Sequence, residues 1–390
     1  MTKRCPVILQ TGFRIFFLGA AVHAVLSMAI WYLFYVAQGN IFVALPLTVW
    51  HGHEMIFGYT MAVVAGFLLT AVINWTGQPT LSGTPLLILF LFWLLARILA
   101  FMPASFPLWP FMLCNIVFFS FLFVGVMRPV IQVKQWRQSA VFSKLFLIFV
   151  SGIFVYWAVI QADLLTQRKA LRFAVYIMIS LIFTIARRVM PFFIEKGVGY
   201  EVNLKNSKTF DIASVILLVA FSILDIFWPQ PYVIATISLL LVFIHTWRLK
   251  GWHTFGIWRK PLLWVLFIGY IFLILGFAFK VMAVIANKPD DAALHAWTAG
   301  AIGLFTLGMM ARVSWGHTGR VIAQPPRLIG IMFLVLLASA IFRTFLPIIN
   351  EHHYIMWIAI SQLLWMIAFT LYIGLYFKSL TTARLDGKWG

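Results

Sequence analysis

The chain has 390 residues, of which 63% are hydrophobic, 17% are aromatic and only 10% are charged. A soluble globular domain carries about 25% charged residues, so this composition and a mean hydropathy of +0.99 exclude that class. The net charge of +19 does not indicate a nucleic acid partner, because the Lys and Arg residues lie between hydrophobic stretches and form no contiguous basic domain. The sequence therefore predicts an integral membrane protein whose partner is the lipid bilayer.

Apolar stretches follow one another along the chain, separated by short polar or Pro/Gly connections. Their length of about 20 residues is typical of transmembrane helices, whereas outer-membrane barrels have alternating segments of about 10 residues. A turn from Trp228 to Tyr232, Trp-Pro-Gln-Pro-Tyr, divides what would otherwise count as one span. We predict an all-α membrane protein of about twelve spans. The spans are centred near Ala24, Met61, Phe92, Phe118, Ile153, Ile179, Val219, Leu239, Ile271, Leu304, Leu334 and Ile367.

Lys and Arg residues concentrate at both termini and in alternate connections, such as those containing Arg128, Arg187 and Arg248. Because cytoplasmic connections are enriched in these residues, both termini are predicted to face the cytoplasm, with 1–390 forming a single polytopic transmembrane domain. Polar residues expected near the outer helix ends are His51, His53, Glu54 and His295. Those expected near the inner ends are Asn74, Trp75, Arg312 and His317.

The stretch WHGHEMIFGYTMAVVAGFLLTAVINWTG, residues 50–77, combines histidines with a face of small residues. Read as one helix, it aligns residues at four-residue spacing on one ridge, which a neighbouring helix can approach closely. The ridge consists of Glu54, Gly58, Ala62, Gly66, Thr70 and Asn74.

The tenth span repeats this stretch without a gap when His53 is aligned with His295. The alignment also pairs Gly58 with Gly300, Gly66 with Gly308, and Thr76-Gly77 with Thr318-Gly319. The sixth span gives a fainter third copy with Leu171 at the histidine position, which suggests three blocks at 1–130, 131–250 and 251–390. Chance is the alternative, because Gly and Ala are common in membrane helices.

Two histidines at equal depth on different helices are suited to grip a haem iron from both faces, so His53 and His295 are the predicted axial pair. His51 lies about 200° around the helix from His53 and cannot serve the same iron if the turn is regular. Together with Met55 it offers soft ligands for copper, although ordinary packing explains Met55 equally. Glu54 is predicted to fix the tautomer of a ligand imidazole or to relay a proton, with a surface carboxylate as the alternative.

Further candidates lie elsewhere on the chain. Arg312 and His317 are candidates for cofactor binding at the inner end, where Arg312 could pair with a haem propionate or a lipid phosphate. Asn74 and Trp75 are expected beside them as supporting residues. The histidines His245, near the end of the eighth span, and His23, on the first span, are additional candidate metal ligands.

Six segments of the chain resemble the NnrS family. They are residues 50–77, GFRIFF from Gly12, RRVMPFF from Arg187, PLLWVLFIGY from Pro261, and the segments ALHAWTAGAIG and ARVSWGHTGR between Ala293 and Arg320. The resemblance covers essentially the whole chain. It implies a polytopic protein of the bacterial inner membrane that contains haem and copper and is linked to denitrification and nitric oxide resistance. Family members often have a histidine where this chain has Phe267, so no ligand role is expected at that position.

The resulting hypothesis is a protein that binds haem b, with copper as a further candidate, and acts in nitric oxide stress. It would bind nitric oxide or a related gas, turn it over as a haem-dependent oxidoreductase, or protect metal centres from it. The sequence does not assign an electron donor. The alternative is a transporter or insertion factor for haem, copper or a metal complex.

A weaker analogy exists with subunit I of the haem-copper oxidases, which has twelve helices in three blocks and haem held by histidines on the second and tenth. The sixth and seventh spans here contain no histidine, so a copper centre of that design is not expected.

Overall fold

The computed structural model describes residues 5–39, 45–103 and 105–390. Within these ranges the chain is helical and has no β-strand, and twelve helices have 17 residues or more. In chain order they are α1 (Gly12–Tyr35), α2 (Leu47–Thr76), α3 (Gly83–Leu99), α4 (Trp109–Gln132), α5 (Ser139–Ile160), α6 (Leu164–Gly197), α7 (Lys208–Phe227), α8 (Pro231–Trp252), α9 (Pro261–Ile285), α10 (Asp291–His317), α11 (Arg327–Thr344) and α12 (Tyr354–Thr381). The predicted all-α fold is confirmed, and each predicted centre lies in its own helix.

Eleven of the helical segments among the described residues are long and apolar enough to cross a membrane. The exception is α3, whose 17 residues extend about 26 Å at 1.5 Å per residue, slightly less than the roughly 30 Å of a hydrocarbon core. The chain is therefore a multi-pass membrane protein.

The predicted turn between the seventh and eighth spans is confirmed. Helix α7 ends at Phe227 and α8 begins at Pro231, the first helical residue. Proline has no backbone N–H to donate, and its fixed φ suits the first turn of a helix. It is therefore favoured at the first helical position, whereas in the interior of a helix it would interrupt the hydrogen bonds.

The helices group into two compact units. The first unit comprises Met1–Ala174, Met309–Ile322 and Phe369–Gly390, and within it α1 packs on α2 and α3 packs on α4. The second comprises Val175–Gly308 and Ala323–Ala368, and within it α9 packs on α8 and on the first turns of α10. The single domain and the three blocks expected from the sequence stay predictions.

Helices α2 and α10 share three irregularities at the aligned positions. Each contains a seven-residue π-helical segment that starts directly after the aligned histidine, Glu54–Thr60 in α2 and Ala296–Ile302 in α10. Thr76, the last residue of α2, and Thr318, the residue directly after α10, each donate from the hydroxyl to the carbonyl four residues earlier, and each is followed by a glycine with positive φ, +69° at Gly77 and +80° at Gly319. Helix α6, the fainter third copy, is regular α-helix at the corresponding positions 172–178.

The glycine face of α2 is closely packed, as its small residues predict. A Cβ atom added to Gly66 would lie 2.8 Å from Cδ1 of Phe17 on α1. In α10 a Cβ on Gly308 would lie 2.9 Å from Cδ2 of Leu266 on α9. At both glycines the neighbouring side chain occupies the space that a larger residue would need.

Candidate functional site

A buried ion pair lies at the centre of the first unit. Glu54, the first residue of the π-helical segment of α2, is completely buried and is not a surface carboxylate. Its Oε1 accepts hydrogen bonds from the Arg97 guanidinium of α3 at 2.7 Å and from Nδ1 of His53 at 2.9 Å. Arg97 also donates to the side-chain oxygen of Asn115 on α4, at 2.5 Å. Since both charges are removed from water, each depends on the other for stabilisation.

The ring of His53 is fully buried and both of its nitrogens are engaged. Because the Glu54 carboxylate only accepts hydrogen bonds, Nδ1 carries the proton, and Nε2 accepts from the hydroxyl of Tyr156 on α5 at 2.9 Å. This is the tautomer that a metal-ligating histidine adopts, with a carboxylate on one nitrogen and a lone pair on the other. A metal at Nε2 would take the position of the Tyr156 hydroxyl.

A second imidazole approaches the same carboxylate from α1. Nε2 of His23 lies 3.2 Å from Oε2 of Glu54, and neither atom has another partner among the described residues. His23 is only 4% exposed. It borders a groove of about 580 Å³ between α1 and α3.

The absence of a side chain at residue 58 makes this cluster possible. A Cβ on Gly58 would lie 2.5 Å from Nε2 of His23 and 2.8 Å from a terminal nitrogen of Arg97. The Gly58 carbonyl accepts a hydrogen bond from the indole of Trp93 at 2.9 Å. The π-helical turn thus brings backbone, two imidazoles and a guanidinium into one small volume, and such turns are frequent at functional sites.

We predict that Gly58→Ala destabilises the first unit by about 1–3 kcal/mol, the usual cost of inserting a methyl group into a packed interior. The matched control is Gly374→Ala on α12, where no atom lies within 4 Å of the added Cβ, and where alanine should stabilise the helix by about 0.5–1 kcal/mol. Thermal unfolding of the purified variants in detergent measures both. Equal melting temperatures for the two variants would contradict this picture of residue 58.

His51 points to different surroundings from His53. Its ring is half-buried and stacks on Trp31 of α1, with the centroids 4.4 Å apart and the planes inclined by 9°. Two residues of regular helix separate the side chains by about 200°, which accounts for the difference.

His295 belongs to the second unit and holds the same tautomer as His53. Nδ1 donates to the backbone carbonyl of Asp291 at 2.8 Å, and Nε2 accepts from the Arg343 guanidinium of α11 at 2.9 Å. Its ring is half-buried. The predicted axial histidines are thus in separate units, and each presents its Nε2 lone pair to a protein donor.

The fifth candidate histidine, His245 on α8, has the opposite tautomer to His53 and His295. Its Nδ1 accepts from the Tyr270 hydroxyl at 2.7 Å and lies 3.1 Å from the Arg248 guanidinium, which can only donate. The proton is therefore on Nε2, which is fully buried and has no hydrogen-bond partner among the described residues. Arg248 is held in turn by Asp211 at 2.8 Å.

The inner-end candidates have individual surroundings. Arg312 is buried, whereas Asn74 is exposed and Trp75 is half-buried. His317 is half-buried and packs on Phe13, with ring centroids 5.8 Å apart. Their predicted roles in cofactor binding stay predictions.

The model of a known family, described as NnrS protein, matches residues 7–384. The chain belongs to the NnrS family. No curated protein matches it. Family membership together with the helices supports a multi-pass membrane protein linked to the nitric oxide response, and the resemblance seen in the sequence is confirmed.

Three residues of the site in this NnrS family member are absent from the set expected from the sequence: Arg97, Asn115 and Tyr156. The sequence did contain a signal for Arg97, because this residue is a cation within an otherwise apolar span. Ionisable residues inside a membrane pair with a partner or serve a function. The pattern along the sequence does not show that its partner is Glu54, 43 residues earlier.

The side chains present determine which kind of metal group the site could hold. Across residues 5–39, 45–103 and 105–390, no three His, Cys, Asp or Glu side chains form a group that could hold a metal ion. A haem iron needs only one or two protein ligands, and His53 has the tautomer and the carboxylate partner that such a ligand requires. The tautomer of His53 therefore suits a haem ligand, and its Nε2 is occupied by the Tyr156 hydroxyl in this structure.

Proposed function

We propose that this chain binds haem in the bacterial inner membrane and acts through it in nitric oxide stress resistance or denitrification. The observation that supports this most directly is the hydrogen bond from Nδ1 of His53 to the buried Glu54 carboxylate. Such a bond fixes the ring orientation and increases the basicity of the opposite nitrogen, as around metal-bound histidines. Haem, when bound, would supply an iron that binds nitric oxide and exchanges single electrons.

The residues around His53 have separate roles in this proposal. Arg97 holds the Glu54 carboxylate charged in an apolar interior, and Glu54 holds the imidazole. The rings of Phe57 and Phe111, with centroids 4.9 and 5.0 Å from that of His53, exclude water from it. Tyr156 must give up its hydrogen bond to Nε2 for iron to bind there.

Haem content of the purified protein tests this proposal. His53→Ala is expected to lose most of its haem, while Tyr156→Phe keeps it, because the phenylalanine leaves the Nε2 lone pair available. His352→Ala, an exposed residue near the start of α12, is the matched control. Absorption spectra of the oxidised and dithionite-reduced proteins, with and without carbon monoxide, report ligand loss separately from protein loss.

The same measurement on His295→Ala tests the second ligand predicted from the sequence, and His23→Ala tests the neighbouring imidazole of the first unit. Unchanged haem content and spectra in His53→Ala would contradict the proposal. Copper is also proposed, with His51 as its candidate ligand, and metal analysis of His51→Ala measures it.

Transport or insertion of haem, copper or a metal complex is a second candidate. The observation that favours it is the pair of π-helical segments in α2 and α10, because irregular helices are common where transporters bind substrate. Substoichiometric haem that exchanges rapidly with added haem would support transport, whereas stoichiometric, tightly retained haem supports a resident cofactor.

A further inference from the structure

The contact between Arg97 and Glu54 is made through a single pair of atoms. Nη1 of Arg97 donates to Oε1 of Glu54 at 2.7 Å, while Oε2 has no hydrogen-bond partner among the described residues. Arginine and a carboxylate frequently pair through two parallel hydrogen bonds, because the fork of the guanidinium matches the two oxygens. Here the second arm of the fork, Nη2, donates to the side chain of Asn115 on α4 instead.

Asn115 is itself fixed in place. Its Oδ1 accepts from Nη2 of Arg97 at 2.5 Å, and its Nδ2 donates to the carbonyl of Phe111, one turn earlier on α4, at 2.9 Å. A guanidinium only donates and a carbonyl only accepts, so both contacts agree on the orientation of the amide. The side chain is 1% exposed, so no water competes for these hydrogen bonds.

The single contact with Arg97 leaves both oxygens of Glu54 within reach of imidazoles. Oε1 also accepts from Nδ1 of His53 at 2.9 Å, and Oε2 lies 3.2 Å from Nε2 of His23. A forked contact would place the second guanidinium nitrogen at Oε2, where His23 lies. It would also require both oxygens to face Arg97, and that rotation of the carboxylate would weaken its hydrogen bond with His53.

Of the two hydrogen-bond partners of His53, only Glu54 selects a tautomer. The Tyr156 hydroxyl at Nε2 can donate or accept, so it suits either tautomer. The Glu54 carboxylate only accepts, so it requires the proton on Nδ1. If the carboxylate turned away, neither partner would keep Nε2 free of a proton, and a protonated Nε2 has no lone pair for a metal.

We propose that Asn115 is a positioning residue for the His53 imidazole. By holding the second arm of Arg97, it keeps Glu54 bonded to His53 and thereby keeps the Nε2 lone pair available. The inference rests on the proposed function for its purpose, because a haem iron requires that lone pair. The tautomer itself is a property of the chain without haem, so the inference and the proposed function can fail separately.

NMR of the ring nitrogens measures the tautomer in the full-length, haem-free protein, purified in detergent with isotopically labelled histidine. His53→Gln identifies the His53 signals by their loss. Asn115→Leu removes the acceptor but keeps a similar size, and it should lower the ratio of the Nδ1–H to the Nε2–H form about tenfold, which equals about 1.4 kcal/mol. A parent-level ratio in folded Asn115→Leu would overturn the inference.

Asn115→Asp distinguishes positioning from packing. It keeps an oxygen acceptor for Arg97 in a side chain of the same shape, so the parent tautomer should be retained. If Asn115→Asp lost the tautomer as completely as Asn115→Leu, packing alone would account for residue 115 and the inference would fail. Asn115→Met replaces Asn115→Leu if the latter does not fold, because the flexible methionine side chain adapts to irregular spaces.

Thr70→Val is the matched control for loss of a buried polar group in the first unit. Thr70 is 5% exposed and its hydroxyl donates to the Gly66 carbonyl of the same helix at 2.8 Å. It follows Glu54 by sixteen residues, about 24 Å along α2, so the His53 tautomer should stay at the parent ratio. An effect as large as that of Asn115→Leu would contradict a specific role for Asn115.

Haem titration of the same variants separates the inference from the proposed function. If both hold, Asn115→Leu should bind haem about tenfold more weakly than the parent, and Asn115→Asp should recover most of that loss. If the tautomer changes in Asn115→Leu but His53→Ala binds haem as the parent does, the inference is supported and the proposed function is contradicted.

Discussion

Glu54→Ala is expected to destabilise the first unit by about 3–5 kcal/mol, the cost of leaving one partner of a buried ion pair without its counter-charge. The partner is Arg97, which is 3% exposed and donates to Glu54 at 2.7 Å. Asn115 remains as an acceptor for the guanidinium, but it carries no charge. Glu54→Gln should be milder, because the amide keeps one acceptor and the shape of the side chain.

Cys114 on α4 provides a reporter for this unfolding. It is buried in the first unit, so a thiol-reactive dye gains access to it as the unit opens, and Cys5→Ser removes the other cysteine of the chain. The melting temperature from dye labelling should fall strongly for Glu54→Ala in this background.

The double variant Glu54→Leu/Arg97→Met is the control, because removing both charges of a buried pair is often close to neutral. It should therefore recover most of the lost stability. A double variant as unstable as Glu54→Ala would show that the loss comes from packing and not from an unpaired charge.

Lys280→Met is the second large expected effect and acts on the second unit. The Lys280 ammonium, 7% exposed, lies 2.6 Å from Asp225 of α7 and also pairs with Asp290. Its loss leaves two carboxylates close together in an apolar setting, and breaking such a pair costs about 3 kcal/mol or more. The loss of stability should appear as faster hydrogen–deuterium exchange in peptides from α7 and α9.

Lys288→Met is the matched control for this prediction. Lys288 pairs with Glu351, but their side chains are 57% and 66% exposed, and surface ion pairs of this kind contribute about 0–1 kcal/mol. Exchange in α7 and α9 should therefore stay at the parent level. If Lys280→Met and Lys288→Met exchanged alike, the buried pair would have no special importance for the second unit.

The helices themselves were predictable, because a bilayer imposes a simple rule. Backbone groups in hydrocarbon must bond internally, so each apolar stretch of sufficient length becomes a helix, and Pro231 starts one where two prolines interrupt the chain. The gapless pairing of His53 with His295 predicted that α2 and α10 are counterparts, but it did not predict a shared backbone irregularity. The π-helical segments at Glu54–Thr60 and Ala296–Ile302 have no such simple signature in composition.

The stretch 50–77 illustrates what sequence and tertiary structure each decided. The sequence by itself determined a membrane helix with two histidines on different sides, a carboxylate and a close-packing glycine face, because these follow from chain order and helical geometry. Only the tertiary structure decided that Arg97 and His23 contact that carboxylate, and that Asn115 and Tyr156 bond to Arg97 and His53 beside it. Contacts between different helices depend on how the helices pack, and packing is set by the shapes of all their side chains together, which no local pattern along the chain records.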